Sequence, residues 1–116
     1  MSAKKILFVD DSTLRQPFLC ELLQSTGEVI PFGQPGKALT AVRRGLGVDV
    51  AVLHYRLSLT PLIQAIRSER PRAKIVAFGT PRSDTPLGVD HYLNMPILGA
   101  ELHALVEKMA AKRNSN

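Results

Sequence analysis

The chain has 116 residues, 45% hydrophobic and 22% charged, enough for one hydrophobic core and too few for two. This composition excludes wholesale disorder and a long coiled coil. Fifteen Lys and Arg against ten acids give +5, so an anionic partner has to be weighed. A single cysteine, Cys20, excludes an internal disulfide, and the N-terminus lacks the long apolar stretch of a secretory signal. Both point to the reducing cytoplasm, and the apolar runs fall well short of the roughly 20 residues of a membrane span.

Lys5–Val9 is a short β-rich apolar run ending in Asp10-Asp11, which predicts a strand buried on both faces. Ser12 or Thr13 can cap the helix that follows. In that helix Leu14, Phe18, Leu19, Leu22 and Leu23 recur at helical spacing and are expected inward, with Gly27 as the stop. Glu28–Phe32 is a weaker strand whose Pro31 suggests a sheet edge. Pro35–Arg44 is the second helix, Val48–Leu53 the third strand, and Thr60–Arg67 the third helix. Lys74–Phe78 is the fourth strand, and Gly88–Leu93 contains the fifth. Leu98–Ala111 is an amphipathic last helix, followed by a polar tail from Lys112.

Strands alternating with helices imply right-handed crossovers and a parallel sheet covered on both sides. Ligands on such folds gather beyond the carboxyl ends of the strands. The residues there are Asp10-Asp11, His54–Arg56, Gly79-Thr80 and Asn94-Met95-Pro96. No phosphate-binding glycine loop, paired metal-spaced histidines or nucleophile with a basic partner is present.

Three stretches in this order resemble the response-regulator receiver domains: Ile6-Leu-Phe-Val-Asp-Asp-Ser12, Val48-Asp-Val-Ala-Val-Leu-His54, and Gly88-Val-Asp-His-Tyr-Leu-Asn-Met-Pro96. The resemblance implies a flavodoxin-like, doubly wound sheet of five parallel strands in the order 2-1-3-4-5, over residues 1–111. It also implies phosphoryl transfer to an aspartate after the third strand. There an acidic pair would hold Mg²⁺, a lysine would pair with the phosphoryl oxygens, and a hydroxyl after the fourth strand would act as switch.

Carried over residue by residue, Asp10 and Asp11 match the metal pair, but His54 stands at the phosphoacceptor position. Met95 stands at the lysine position, and Gly79 at the switch hydroxyl, with Thr80 one residue later. The acceptor and the cation are both gone. The expectation is a degenerate receiver, not an enzyme, that works without phosphorylation or cofactor and has at most a weak metal site at Asp10 and Asp11. Two adjacent carboxylates still require a counter-charge, for which Arg56 is the first candidate and protonated His54 the second.

Only Pro81–Leu87 separates Thr80 from Gly88. A three-turn helix needs roughly 11 residues, so the family's fourth helix should be missing or cut to one turn. Its loss should bare apolar flanks of the fourth and fifth strands. Phe78, Pro81, Pro86, Leu87, Tyr92 and Ile97 are therefore the expected contact surface for a protein partner or a second copy. Tyr92 occupies a position where the family often has an aromatic that reports activation. Two other functions compete: unusual phosphorylation, and nucleic-acid binding through Arg43, Arg44, Arg67, Arg70 and Arg72, the latter without aromatic residues for base stacking. His91 and His103 are expected to be solvated, and Cys20 to be packed.

Overall fold

In the computed structural model, residues 3–55 and 57–112 are described. The strands are β1 (Lys5–Val9), β2 (Glu28–Phe32), β3 (Val50–His54), β4 (Lys74–Gly79) and β5 (His91–Asn94). The helices are α1 (Arg15–Leu23), α2 (Pro35–Arg43), α3 (Thr60–Glu69) and α4 (Gly99–Lys112). All strand pairs are parallel, and the sheet order is β2-β1-β3-β4-β5. This is the flavodoxin-like arrangement expected from the alternation. Pro31 lies on the edge strand β2, where its missing N–H is tolerated.

Period-two alternation splits the strands between two cores. Leu7, Val9, Ala51, Leu53, Ile75 and Ala77 face α2 and α3. Ile6, Phe8, Val50, Val52, Val76 and Phe78 face α1 and α4. Ala38 and Val42 of α2, Leu62 and Ile66 of α3, and Leu102, Val106 and Ala110 of α4 supply the helical side of these cores. Gly45 ends α2 in the left-handed region at φ 106°, a conformation glycine adopts at little cost.

Helix α1 departs from the expected inward face. Leu19 and Leu23 are buried, whereas Leu14 is 86% and Phe18 64% exposed. A segment apolar on several sides has no unique inward stripe, and docking against Phe8 and Leu102 selects the 19/23 row. Ser12 is the capping residue: its hydroxyl oxygen accepts from the Arg15 N–H at 3.0 Å. Cys20 is half-buried against the α1/α4 core, and burial pushes its thiol pKa up. Lys112, expected in the tail, ends α4, while residues 113–116 lie outside the described residues.

Between β4 and β5 there is no helix. The connection 80–90 is an irregular strap, as its length and prolines required. The flanks of β4 and β5 are nevertheless covered. Phe78, expected on a contact surface, is fully buried because it points to the α1/α4 face. Pro86 is also buried, and Val89 joins the opposite core, with the Val89 N–H donating to the Pro86 carbonyl at 3.1 Å.

Arg67 anchors this strap. Its guanidinium donates to the Gly88 carbonyl through Nε (3.0 Å) and Nη2 (2.8 Å) and to the Ala73 carbonyl (3.0 Å), and it pairs with Asp90 at 2.7 Å. Asp90 in turn accepts from the Ile75 N–H at 2.7 Å. Arg70 is likewise spent on the carbonyls of Gly45, Leu46 and Glu69. Two of the five arginines proposed for nucleic acid thus serve as internal struts. Gly88 sits at φ 85°, and a Cβ there would lie 2.7 Å from the Ile63 side chain.

Replacing Arg67 with Met should lower unfolding stability by roughly 2 kcal/mol in urea titration, because three carbonyl bonds and an ion pair are lost together. Gly88→Ala should cost at least 1 kcal/mol through both backbone strain and the clash with Ile63. Arg72→Met, on an exposed and uninvolved side chain, should leave the midpoint unchanged within about 0.5 kcal/mol.

Candidate functional site

The site lies beyond the carboxyl ends of β1, β3 and β4. Asp10 follows β1 directly, and its N–H donates to the Phe32 carbonyl at 3.1 Å. The residue is 1% exposed, the lone buried polar residue among those described. A buried carboxylate is costly unless it is paired and hydrogen-bonded. Here it is both. Arg15, in the first turn of α1, grips it with two arms of its guanidinium: Nε to Oδ2 at 2.7 Å and Nη2 to Oδ1 at 2.8 Å. The Ser12 N–H adds a third bond to Oδ1 at 3.1 Å. Gln16 holds the main chain, its Nε2 donating to the carbonyls of Asp10 (2.8 Å) and Phe32 (3.0 Å).

His54 ends β3 and completes the pocket. Its Nδ1 lies 3.3 Å from Arg15 Nη2, 3.6 Å from Asp10 Oδ1 and 3.5 Å from Asp11 Oδ1. The imidazole stacks on the buried Phe78 ring, with centroids 5.1 Å apart and planes 8° from parallel. The Arg15 guanidinium carbon sits 5.5 Å from the same ring centre. Hydrogen bonding to Asp10 pushes the Arg15 pKa above its already high ordinary value, against a smaller opposing effect of burial. Arg15 therefore keeps its charge at any physiological pH.

The cation bonded to Asp10 is Arg15, a residue not among the expected counter-charges. Arg56 lies outside the described residues, and His54 is a neighbour of the ion pair. Arg15 escaped the sequence analysis because only residues immediately after strand ends were considered. One signal was legible. A cation in the first turn of a helix opposes the helix dipole and needs a compensating anion nearby. Asp10, five residues earlier, is that anion.

The switch and lysine positions form a second, adjoining cluster. Gly79 is buried, and a Cβ there would lie 2.8 Å from the Tyr92 hydroxyl oxygen. That hydroxyl donates to the Thr80 carbonyl at 2.7 Å. Tyr92 meets Tyr55 edge-on at 5.9 Å, and the Arg82 guanidinium stacks over both rings at 5.2 and 5.6 Å. Arg82 also pairs with Asp84, whose pKa is lowered by it. Thr80 itself is exposed, and its hydroxyl has no place in the Asp10 pocket. Met95 is half-buried and packs against the α1/α4 core, so the lysine position carries a hydrophobic side chain that joins the core.

Of the expected contact surface, Pro81 and Leu87 are exposed, Leu87 at 98%, and Tyr92 and Ile97 are half-buried. Tyr55, Ile63, Gln64, Leu87 and Gly88 line a groove of about 500 Å³ between α3 and the strap. A second apolar area, which the sequence analysis assigned to the core, is made by Leu14 and Phe18, and Leu98 is also 68% exposed. His91 is exposed as expected. His103 is not free in solvent: its Nε2 lies 2.7 Å from the Ser25 hydroxyl and ties α4 to the turn after α1.

Mg²⁺, which the receiver resemblance implies, fits this donor set poorly. It requires oxygen ligands in near-octahedral array. Here both oxygens of Asp10 are engaged by a guanidinium, and the third side chain of the set offers an imidazole nitrogen in place of an oxygen. Among the described residues, no helix is long and apolar enough to cross a membrane.

No protein-family model and no curated protein matches the chain. Solved structures do. A CheY-like receiver domain from Methanospirillum hungatei is 21% identical, with a TM-score of 0.80 and 97% of each chain covered. The BeF3-activated DrrB receiver domain is 22% identical, with a TM-score of 0.79, 96% of this chain and 99% of that one. The response regulator TrrA from Thermotoga maritima, in complex with Mg(2+)-BeF, is 27% identical, with a TM-score of 0.74, 91% of this chain and 98% of that one. With its five parallel strands, their 2-1-3-4-5 order and its acidic pair beyond β1, the chain has the fold of the CheY-like response-regulator receiver domains.

Proposed function

We propose that the chain is a phosphorylation-independent pseudo-receiver, a protein-interaction module of two-component-type signalling that acts in the cytoplasm. One observation carries this reading: the Arg15 guanidinium is bonded to both oxygens of the buried Asp10. The positive charge that a receiver would take from a metal and a lysine is built into the first turn of α1. The reading has further support at the neighbouring positions. His54 offers no carboxylate to a phosphoryl group, Met95 offers no cation, and Gly79 offers no hydroxyl. The space a hydroxyl-bearing side chain would need at residue 79 is taken by Tyr92.

Function then rests on a surface that is always presented. The face we favour is the groove between α3 and the strap, lined by Tyr55 and Leu87, together with the adjoining depression of Pro81 and Tyr92, which shares Tyr55. Tyr and Arg are enriched among residues that dominate binding energy, and Tyr55, which lines this groove, is stacked with Tyr92 and Arg82 of the adjoining depression. A second copy of the chain is the alternative occupant. Nucleic-acid binding is the weaker reading, since Arg67 and Arg70 are tied to carbonyls.

Acetyl phosphate should add no 80 Da adduct, and beryllofluoride with Mg²⁺ should leave the amide NMR spectrum unchanged, whereas an active receiver run alongside as a control should respond to both. His54→Asp alone should not restore either response, because Arg15 and Met95 remain; a stable acyl phosphate on the wild-type chain would end the reading. Arg15→Ala should cost about 3 kcal/mol in urea unfolding, as one partner of a buried pair is removed. Tyr92→Ala with Leu87→Asp should abolish partner capture or self-association in pull-down and sedimentation. If Leu14→Asp with Phe18→Asp does so instead, the contact face is α1.

A further inference from the structure

The amino ends of the strands, at the pole opposite the altered pocket, gather cations that no internal contact uses. Arg43 ends α2 and Arg44 follows it, while Arg72 stands in the turn between α3 and β4. All three are exposed, and among the described residues none has a side-chain hydrogen bond or ion pair. The two turns are tied together, for Arg70 donates to the carbonyls of Gly45 at 2.7 Å and Leu46 at 3.1 Å. The acids of this pole answer little of the charge. Glu28 is paired with the Lys5 ammonium at 2.6 Å, and Asp49 accepts the Lys5 N–H at 2.8 Å. Glu69 is exposed beside them. A hollow of about 420 Å³ lies at the same place, where Val48, Pro71 and Ala73 meet Glu69, Arg70 and Arg72.

Unpaired guanidinium groups beside an apolar hollow fit carboxylates that arrive together with apolar side chains. Nucleic acid fits less well. A single strand needs aromatic rings for stacking, and no aromatic residue lines this hollow. A duplex backbone rewards cations but has no apolar group to place there. We propose that this pole is a second binding face, for an acidic segment of a partner protein in which Asp and Glu alternate with apolar residues. Arg43, Arg44 and Arg72 take the carboxylates, and Val48, Pro71 and Ala73 take an apolar side chain. No residue lines both this hollow and the groove beside α3, so the two faces can be occupied together.

Fluorescence anisotropy with labelled peptides tests this on the full chain. A peptide of Glu-Glu-Leu repeats should bind at least tenfold more tightly than the same peptide with every Leu replaced by Ser. It should also bind more tightly than a short DNA duplex of equal charge. Arg44→Glu with Arg72→Glu should weaken binding of the Leu peptide at least tenfold. Lys37→Glu with Lys108→Glu makes the same change in net charge on exposed residues elsewhere and should alter it less than twofold. Glu69→Lys should tighten it. Raising NaCl from about 50 to about 300 mM should weaken it at least threefold. Urea unfolding checks both double variants. If the arginine variant is destabilised, Arg44→Gln with Arg72→Gln should still lose at least threefold. No binding of the Leu peptide, or an equal loss in the two double variants, overturns the proposal. Equal affinity for the Ser peptide, or tighter binding of the duplex, overturns it as well.

Discussion

A carboxylate removed from water must find positive charge, and in this protein it finds Arg15. Asp10 is fixed by the strand that carries it, because β1 is the second strand of the sheet and is paired on both sides. Its side chain therefore cannot move toward solvent. Arg15 must come to it, which sets the entry of α1. Ser12 supports that entry by bonding the Arg15 N–H, and Gln16 ties the same turn to Asp10 and Phe32. The pocket is thus part of the packing that holds α1 on the sheet. It is closed by side chains.

The same economy appears at the other altered positions. Loss of a side chain at residue 79 gives Tyr92 room to bring its hydroxyl to the Thr80 carbonyl. Loss of a lysine at residue 95 lets a methionine join the α1/α4 core. Loss of a helix between β4 and β5 is made good by Arg67, which holds the short strap through Gly88 and Asp90. At each of these positions a local contact takes up the space or the bonding capacity. On the surface, Leu87 projects from the strap and Arg82 is stacked on two tyrosines.

The basic character of the chain has a similar internal explanation. Arg15, Arg67 and Arg70 are engaged by a carboxylate or by main-chain carbonyls. Guanidinium groups suit this work because several donors lie in one plane and can serve two or three acceptors at once. Their charge still counts in the net +5, but their donors are already taken and are not offered to an anionic partner.

Strand identity, strand order and the shortened β4–β5 connection were legible in the amino-acid sequence, since they depend on local features: apolar runs, the alternation of strands with helices, and seven residues with a proline near each end. The altered positions 54, 79 and 95 were legible for the same reason, being fixed relative to strand ends. Which face of α1 turns inward was not, because Leu14, Phe18, Leu19 and Leu23 are alike in hydrophobicity and only docking on the sheet distinguishes them. The partner of Asp10 was not either. Arg15 and Asp10 are close in sequence, but the bond between them exists only because the start of α1 and the end of β1 turn toward one buried point. Burial of Phe78 and Pro86, and the use of Arg67 as a strut, were decided in the same way. Local pattern sets what each segment becomes, whereas the pairing of charges depends on distances that only the packed chain creates.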